Sequence, residues 1–130
     1  MKLPFMIDLK GKTAVVTGGG GVLCSGFAKA IAQTGAAVAI LDINEAAAKK
    51  LAEEINADGG RAVGVAANVL EKESLEKAKK EINDAFGTVD ILLNGAGGNN
   101  PKGTTTKDYF NPEDEDLEGV KTFFDLDPSG

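Results

Sequence analysis

The stretch TAVVTGGGGVLC, Thr13 to Cys24, decides the fold. Thr13 to Thr17 is a short β-branched run and predicts a buried strand. Gly18 to Gly21 predict a tight turn, and the residues that follow predict a helix. In that helix Leu23, Phe27, Ala30, Ile31 and Thr34 form the apolar stripe, and Gly35 stops it. A strand that empties through glycines into a helix presents unpaired backbone N–H groups at the positive end of the helix, which suits a pyrophosphate. A strict G-x-G-x-x-G is absent, so a strand-to-helix turn without a ligand is the plainer alternative.

The same alternation continues outward. Ala36 to Leu41 predicts a second buried strand with Asp42 at its carboxyl end. Asn44 can cap the next helix, which carries Ala47, Ala48, Leu51, Ala52 and Ile55 on one side and ends at Asp58-Gly59-Gly60. Arg61 to Val69 predicts a third strand. Glu71 to Phe86 predicts a third helix, with a stripe through Leu75, Ala78, Ile82, Ala85 and Phe86, closed by Gly87. Val89 to Leu93 predicts a fourth strand, bounded by Asn94-Gly95-Ala96-Gly97-Gly98. Residues 99–112 are polar and without period, which predicts a loop, and a short helix is expected from near Glu113.

Strands separated by helices of this length need right-handed crossovers and a parallel sheet. The expected fold is therefore α/β, a doubly wound parallel sheet of Rossmann type with strand order 3-2-1-4. Such folds usually continue to a fifth and sixth strand. Residues 1–130 are accordingly expected to be a single but incomplete dinucleotide-binding domain, the amino-terminal part of a larger protein. The alternative is a small domain that covers its fourth strand by dimerising. Ile91 and Leu93 are expected to expose apolar surface there, and self-association into a homo-oligomer is expected with it.

Composition narrows the function. Hydrophobic residues make up 42% of the 130, enough for a core. Fourteen basic and twenty acidic residues give a net charge of -6, with the basic ones scattered among acids, which argues against nucleic acid as partner. The chain has no histidine, which removes His-based triads and imidazole metal sites. Cys24 is the only cysteine, so no internal disulfide forms, and a reducing, cytoplasmic location is expected. The early apolar stretch Leu3 to Ile7 contains Pro4 and meets Asp8, too short for a secretory or membrane segment.

Asp42 follows the glycine turn at the spacing of an acid that accepts hydrogen bonds from both hydroxyls of an adenosine ribose and repels a 2′-phosphate. On that reading the cofactor is NAD rather than NADP. An ordinary solvated Asp ahead of a helix is the other reading.

Thr17-Gly18 with further glycines, Asp42, Asn68-Val69 and Asn94-Gly95-Ala96-Gly97, each at a predicted strand end, resemble the short-chain dehydrogenase/reductase family over nearly the whole chain. The family's usual turn is T-G-x-x-x-G-x-G, its third strand ends in Asp-Val and its fourth in Asn-Asn-Ala-Gly. Here Val22 and Cys24 stand where two of the glycines would be, Asn68 where the Asp would be, and Gly95 where the second Asn would be. More narrowly, TGGGGVLC and NGAGGNNPKGTT resemble the D-mannonate oxidoreductase (fructuronate reductase) branch.

The resemblance implies an oxidoreductase that uses NAD and acts on a small-molecule sugar acid or polyol. It implies that Gly18, Gly20, Gly21, Val22 and Leu23 wrap the pyrophosphate and that Asp42 holds the adenosine ribose. By the same resemblance Asn68 and Val69 flank the adenine, and Gly95, Ala96 and Gly97 pass close to the riboses. Cys24 would be the small residue that replaces a glycine, and as a catalytic thiolate it would lack a histidine partner. Asn99, Asn100, Lys102 and Thr104 to Thr106 would lie where open α/β sheets meet substrate, with Lys102 either facing a carboxylate or simply solvated.

The family's catalytic serine, tyrosine and lysine have no counterparts in this sequence. Its one tyrosine, Tyr109, is followed four residues later by Glu113, beyond Pro112, and Phe124-Asp125-Leu126 leads to Asp127 where an asparagine would stand. The expected function is thus the cofactor-binding part of an NAD-dependent short-chain oxidoreductase. A non-catalytic dinucleotide-binding module and a domain for another adenine nucleotide are the alternatives. The intact mass of the protein from its native source separates the first two. A mass well above the 13.4 kDa of these residues is expected, and a mass of 13.4 kDa favours the non-catalytic module.

Overall fold

The structure is a computed structural model and describes residues 7–97. The expected loop over 99–112, the helix near Glu113, and Asn99, Asn100, Lys102, Thr104 to Thr106, Tyr109 and Asp127 lie outside the described residues. The elements are β1 (Thr13–Thr17), α1 (Val22–Gln33), β2 (Ala37–Asp42), α2 (Glu45–Ala57), β3 (Arg61–Ala66), α3 (Lys72–Phe86) and β4 (Ile91–Asn94). The four strands form one parallel sheet in the order β3-β2-β1-β4, as the alternating pattern predicted.

Alternation along each strand sends successive side chains to opposite faces. Val16, Val38 and Ile40 point to the face covered by α1 and α2, where they pack with Cys24, Ala28, Ala32, Ala48, Leu51, Ala52 and Ile55. Val15, Ala39, Leu41 and Val65 point to the other face and pack with Ala78 and Ile82 of α3. β2 is covered on both faces, which is why AVAIL reads as an unbroken apolar run.

The stripe of α1 differs from the one expected. Cys24, Ala28 and Ala32 are its buried residues, while Leu23 is 71% and Phe27 44% exposed. Small side chains let the helix axis lie close to the sheet; Leu23 and Phe27 are turned outward, while Ile31 of the expected stripe packs against the core. On α2 the expected stripe is buried from Ala48 through Leu51 and Ala52 to Ile55, and Asn44 accepts a hydrogen bond from Ala47 N–H at 3.1 Å as its cap.

β3 ends three residues earlier than expected because its partner runs out. Asp42 pairs with Ala66, Ala67 N–H donates to the Asp42 carbonyl, and Asn68 then folds into a turn that accepts from Leu70 N–H at 3.1 Å. α3 begins at Lys72 rather than Glu71, and Leu75 and Ala85 of its expected stripe are exposed. β4 begins at Ile91, because Asp90 brackets the start of β1: Thr13 N–H donates to its carboxylate at 3.0 Å and Asp90 N–H to the Thr13 carbonyl at 2.9 Å. The exposed apolar residue of β4 is Leu92, not Ile91 or Leu93, since Leu93 packs against the core beside α1.

The ion pairs lie on the surface. Lys29 and Glu54 are 2.8 Å apart with both side chains more than two-fifths exposed, and Glu45 pairs with Lys49 one turn on. The hydrogen bond from Lys29 and its charge hold the Glu54 carboxyl below its ordinary value, so this contribution is present at neutral pH and fades as pH falls through the carboxylate range. At that exposure water screens most of it. Among the described residues no helix is long and apolar enough to cross a membrane.

Burial, then, holds the fold. Ile40→Ala, at a side chain with no exposure, is expected to lower unfolding free energy by about 2 to 5 kcal/mol in urea titration. Glu54→Gln is expected to leave the urea midpoint nearly unchanged. A larger loss at Glu54 than at Ile40 would reverse this account.

Candidate functional site

At the carboxyl end of the sheet the chain leaves β1 toward β2 over one face and reaches β4 from β3 over the other. The β1–β4 border is therefore the point where an open α/β sheet forms a crevice. Gly18 turns the chain there with φ of +65°, a left-handed conformation that costs glycine nothing. A Cβ on it would also stand 2.7 Å from the Gly95 carbonyl oxygen.

The turn is held by backbone and side-chain bonds. Gly19 N–H donates to the Leu41 carbonyl at 3.2 Å, Gly20 N–H to Asp42 Oδ2 at 2.9 Å, and Gly21 N–H to the Gly18 carbonyl at 3.1 Å. A Cβ on Gly19 would lie 2.5 Å from Ile40 Cγ2, and one on Gly20 2.8 Å from both Ala47 Cβ and Asp42 Oδ2. Helix bonding starts only with Ser25 N–H to the Gly21 carbonyl, and Gly21 as N-cap brings no side-chain acceptor. The N–H groups of Val22, Leu23 and Cys24 thus have no acceptor among the described residues. Open donors sit in the first turn of α1, while those of Gly19 to Gly21 are engaged within the fold.

Asp42 is half-buried at the end of β2, and both its oxygens accept backbone bonds, Oδ2 from Gly20 and Oδ1 from Asn44 N–H at 2.9 Å. Ile43 follows it, 77% exposed. Asn68 and Val69 stand past the end of the neighbouring β3, with Val69 40% exposed and Asn68 N–H donating to Ser74 Oγ at 2.9 Å. On the other side of β1, Gly95 N–H and Ala96 N–H both donate to Thr17 Oγ1, at 3.0 and 3.1 Å. A side chain on Gly95 would run into Cys24 Sγ, so the buried thiol and the bare glycine fit each other. Gly97 is exposed.

Of the residues read from sequence, Gly18, Gly20, Gly21, Val22, Leu23, Asp42, Gly95 and Ala96 come together around the end of β1, and Asn68 and Val69 lie along the same edge at β3. Thr17 as a hydroxyl acceptor and Asn44 as a donor to Asp42 are additions. A threonine closing a central strand just before a glycine turn was the available signal for the first.

A family model described as short chain dehydrogenase matches residues 12–117. The chain belongs to the short chain dehydrogenase family. An uncharacterized oxidoreductase of Haemophilus influenzae is 51% identical over 124 residues, 95% of this chain and 42% of that protein. An uncharacterized oxidoreductase of Bacillus subtilis is 47% identical over 128 residues, 98% of this chain and 45% of that protein. Among solved structures, a candidate D-mannonate oxidoreductase from Haemophilus influenza with bound NAD superposes with a TM-score of 0.74 at 49% identity, covering 95% of this chain and 44% of that one. This short chain dehydrogenase sequence spans less than half the length of these relatives.

Thr17→Val keeps the shape of the side chain and removes the acceptor for two N–H groups of this short chain dehydrogenase. The expected cost is about 1 to 3 kcal/mol in urea titration. Faster amide exchange is expected at Gly95 and Ala96, and unchanged exchange at both would count against the tie.

Proposed function

We propose that these residues form the NAD-binding part of a short-chain oxidoreductase that acts on a sugar acid or polyol, with D-mannonate and D-fructuronate as the first substrates to try. The observation that carries it is the set of open N–H groups at Val22, Leu23 and Cys24, at the sheet's switch point, across the glycine turn from Asp42. Helix dipole and unpaired donors favour a pyrophosphate there. The fit is supported by the close-packed glycine turn, whose positions 18, 19 and 20 leave no room for side chains.

In this reading Gly18, Gly20 and Gly21 shape the turn while Val22 and Leu23 donate to the pyrophosphate. Asp42 accepts from the adenosine ribose, Asn68 and Val69 flank the adenine, and Gly95, Ala96 and Gly97 let the riboses approach the backbone. NAD, when bound, supplies the carbon that takes or gives the hydride. The residues of this chain bind and orient, and no catalytic residue is assigned among them. The NAD-bound Haemophilus structure supports the choice of cofactor, and its description as a candidate D-mannonate oxidoreductase supports the substrate class. A negative Asp42 facing a 2′-phosphate supports NAD over NADP. A cytoplasmic homo-oligomer completes the proposal, supported by the lone Cys24 and by Leu92, 59% exposed on β4.

Calorimetric titration of the purified protein tests the binding half. NAD is expected to bind in the micromolar range and NADP at least about tenfold more weakly, a difference of roughly 1.4 kcal/mol. Binding of neither nucleotide sinks the reading. For the substrate, NADH absorbance is expected to rise when the native-source protein receives NAD and D-mannonate. No rise with D-mannonate or any polyol removes the substrate assignment.

A further inference from the structure

We propose that Asp42 is a positioning residue for the glycine turn as well as a ribose acceptor, so that one carboxylate sets both the ribose site and the donors around the pyrophosphate. The ligand half of this rests on the function proposed above.

The geometry is specific. Asp42 Oδ2 accepts from Gly20 N–H and Oδ1 from Asn44 N–H, both at 2.9 Å, while Leu41 beside it accepts from Gly19 N–H. The end of β2 therefore grips two successive residues of the turn, one through its backbone and one through its side chain. Gly20 is held so closely that a Cβ would overlap both the carboxylate and Ala47 of α2. Bonds to an ionised acceptor are the stronger kind. Two residues downstream of Gly20, the open N–H groups begin. Their direction depends on where Gly20 and Gly21 put the start of α1.

Each carboxylate oxygen has two lone pairs, so one backbone bond on each leaves one direction on each for a hydroxyl. Two ribose hydroxyls add to Asp42 without displacing Gly20 or Asn44. A 2′-phosphate, by contrast, requires the carboxylate to move or be removed, and either change unties the turn. Loss of Asp42 should then weaken NAD without creating a good NADP site, because the pyrophosphate donors are disturbed in both cases.

The first test needs no ligand. In the free protein, Asp42→Ala is expected to speed amide exchange at Gly20 by about tenfold or more, the effect of losing one charge-assisted hydrogen bond, and by more than at Val15 and Val16 of β1, which report only the change in global stability. Asp42→Asn keeps one acceptor oxygen and is expected to speed Gly20 or Asn44 but not both. It also serves if the alanine variant folds poorly. Unchanged exchange at both amides in both variants overturns the tie.

The second test titrates NAD, NADP and inorganic pyrophosphate, reading the amide shifts of Val22, Leu23 and Cys24. Asp42→Ala is expected to weaken NAD and pyrophosphate together and to leave NADP below the wild-type affinity for NAD. A variant that loses NAD, binds pyrophosphate as before and gains NADP would show a ribose role alone and overturn the proposal. If the wild type binds no NAD, the proposed function falls, while the exchange result still decides the tie.

Discussion

The hydroxyl of Thr17 holds two strands and a turn in register. Gly95 N–H and Ala96 N–H converge on its oxygen, and Thr17 itself is the last residue of β1, 7% exposed, before the chain turns at Gly18. β1 lies in the middle of the sheet, so whatever fixes its carboxyl end fixes the crevice between the two directions in which the chain winds. Two donors meeting one buried hydroxyl leave little freedom at that point, because displacing either amide leaves the buried oxygen short of a donor.

From there many of the constraints propagate through close approach. Gly18 must avoid the Gly95 carbonyl, Gly95 must leave room for Cys24 Sγ, and Gly19 must clear Ile40. The family pattern resembled by this sequence has glycine at the position of Cys24 and asparagine at that of Gly95. In the chain the two departures form a single fit: the sulfur fills the volume that a side chain on residue 95 would need. The same economy of space governs α1, whose buried residues are Cys24, Ala28 and Ala32, and β3, where Gly64 lets the α2 backbone come near. The surface ion pairs contribute little to this, whereas the carboxylates of Asp42 and Asp90 act as acceptors for backbone N–H groups. Lys29–Glu54 and Glu45–Lys49 lie in water, and the interior is apolar on both faces of the sheet.

Element type and order were legible from TAVVT, AVAIL, the capped alanine-rich α2 and the glycines at 18, 35, 59 and 87, all of which carry positive φ. Those signals act within a few residues: side-chain periodicity, a cap three residues from its donor, a backbone angle that glycine tolerates. The parallel order 3-2-1-4 followed from them because short crossovers of one hand leave few other arrangements. Element ends were less legible, since β3 stops where β2 stops and β4 starts where Asp90 has finished bracketing Thr13.

What tertiary structure alone decided is which polar groups meet. Gly20 and Asp42 are 22 residues apart, and Thr17 reaches Gly95 and Ala96 across 78 and 79. No local period encodes those meetings; they exist only once the sheet has set its strands side by side. The sequence sufficed to name Asp42 and the glycines as candidates, because residue type and strand-end position are written in the chain. That Asp42 accepts from the glycine turn, that the donors of Gly19 to Gly21 are engaged, and that the open ones start at Val22 depend on distances between elements, which the packed sheet and its helices fix.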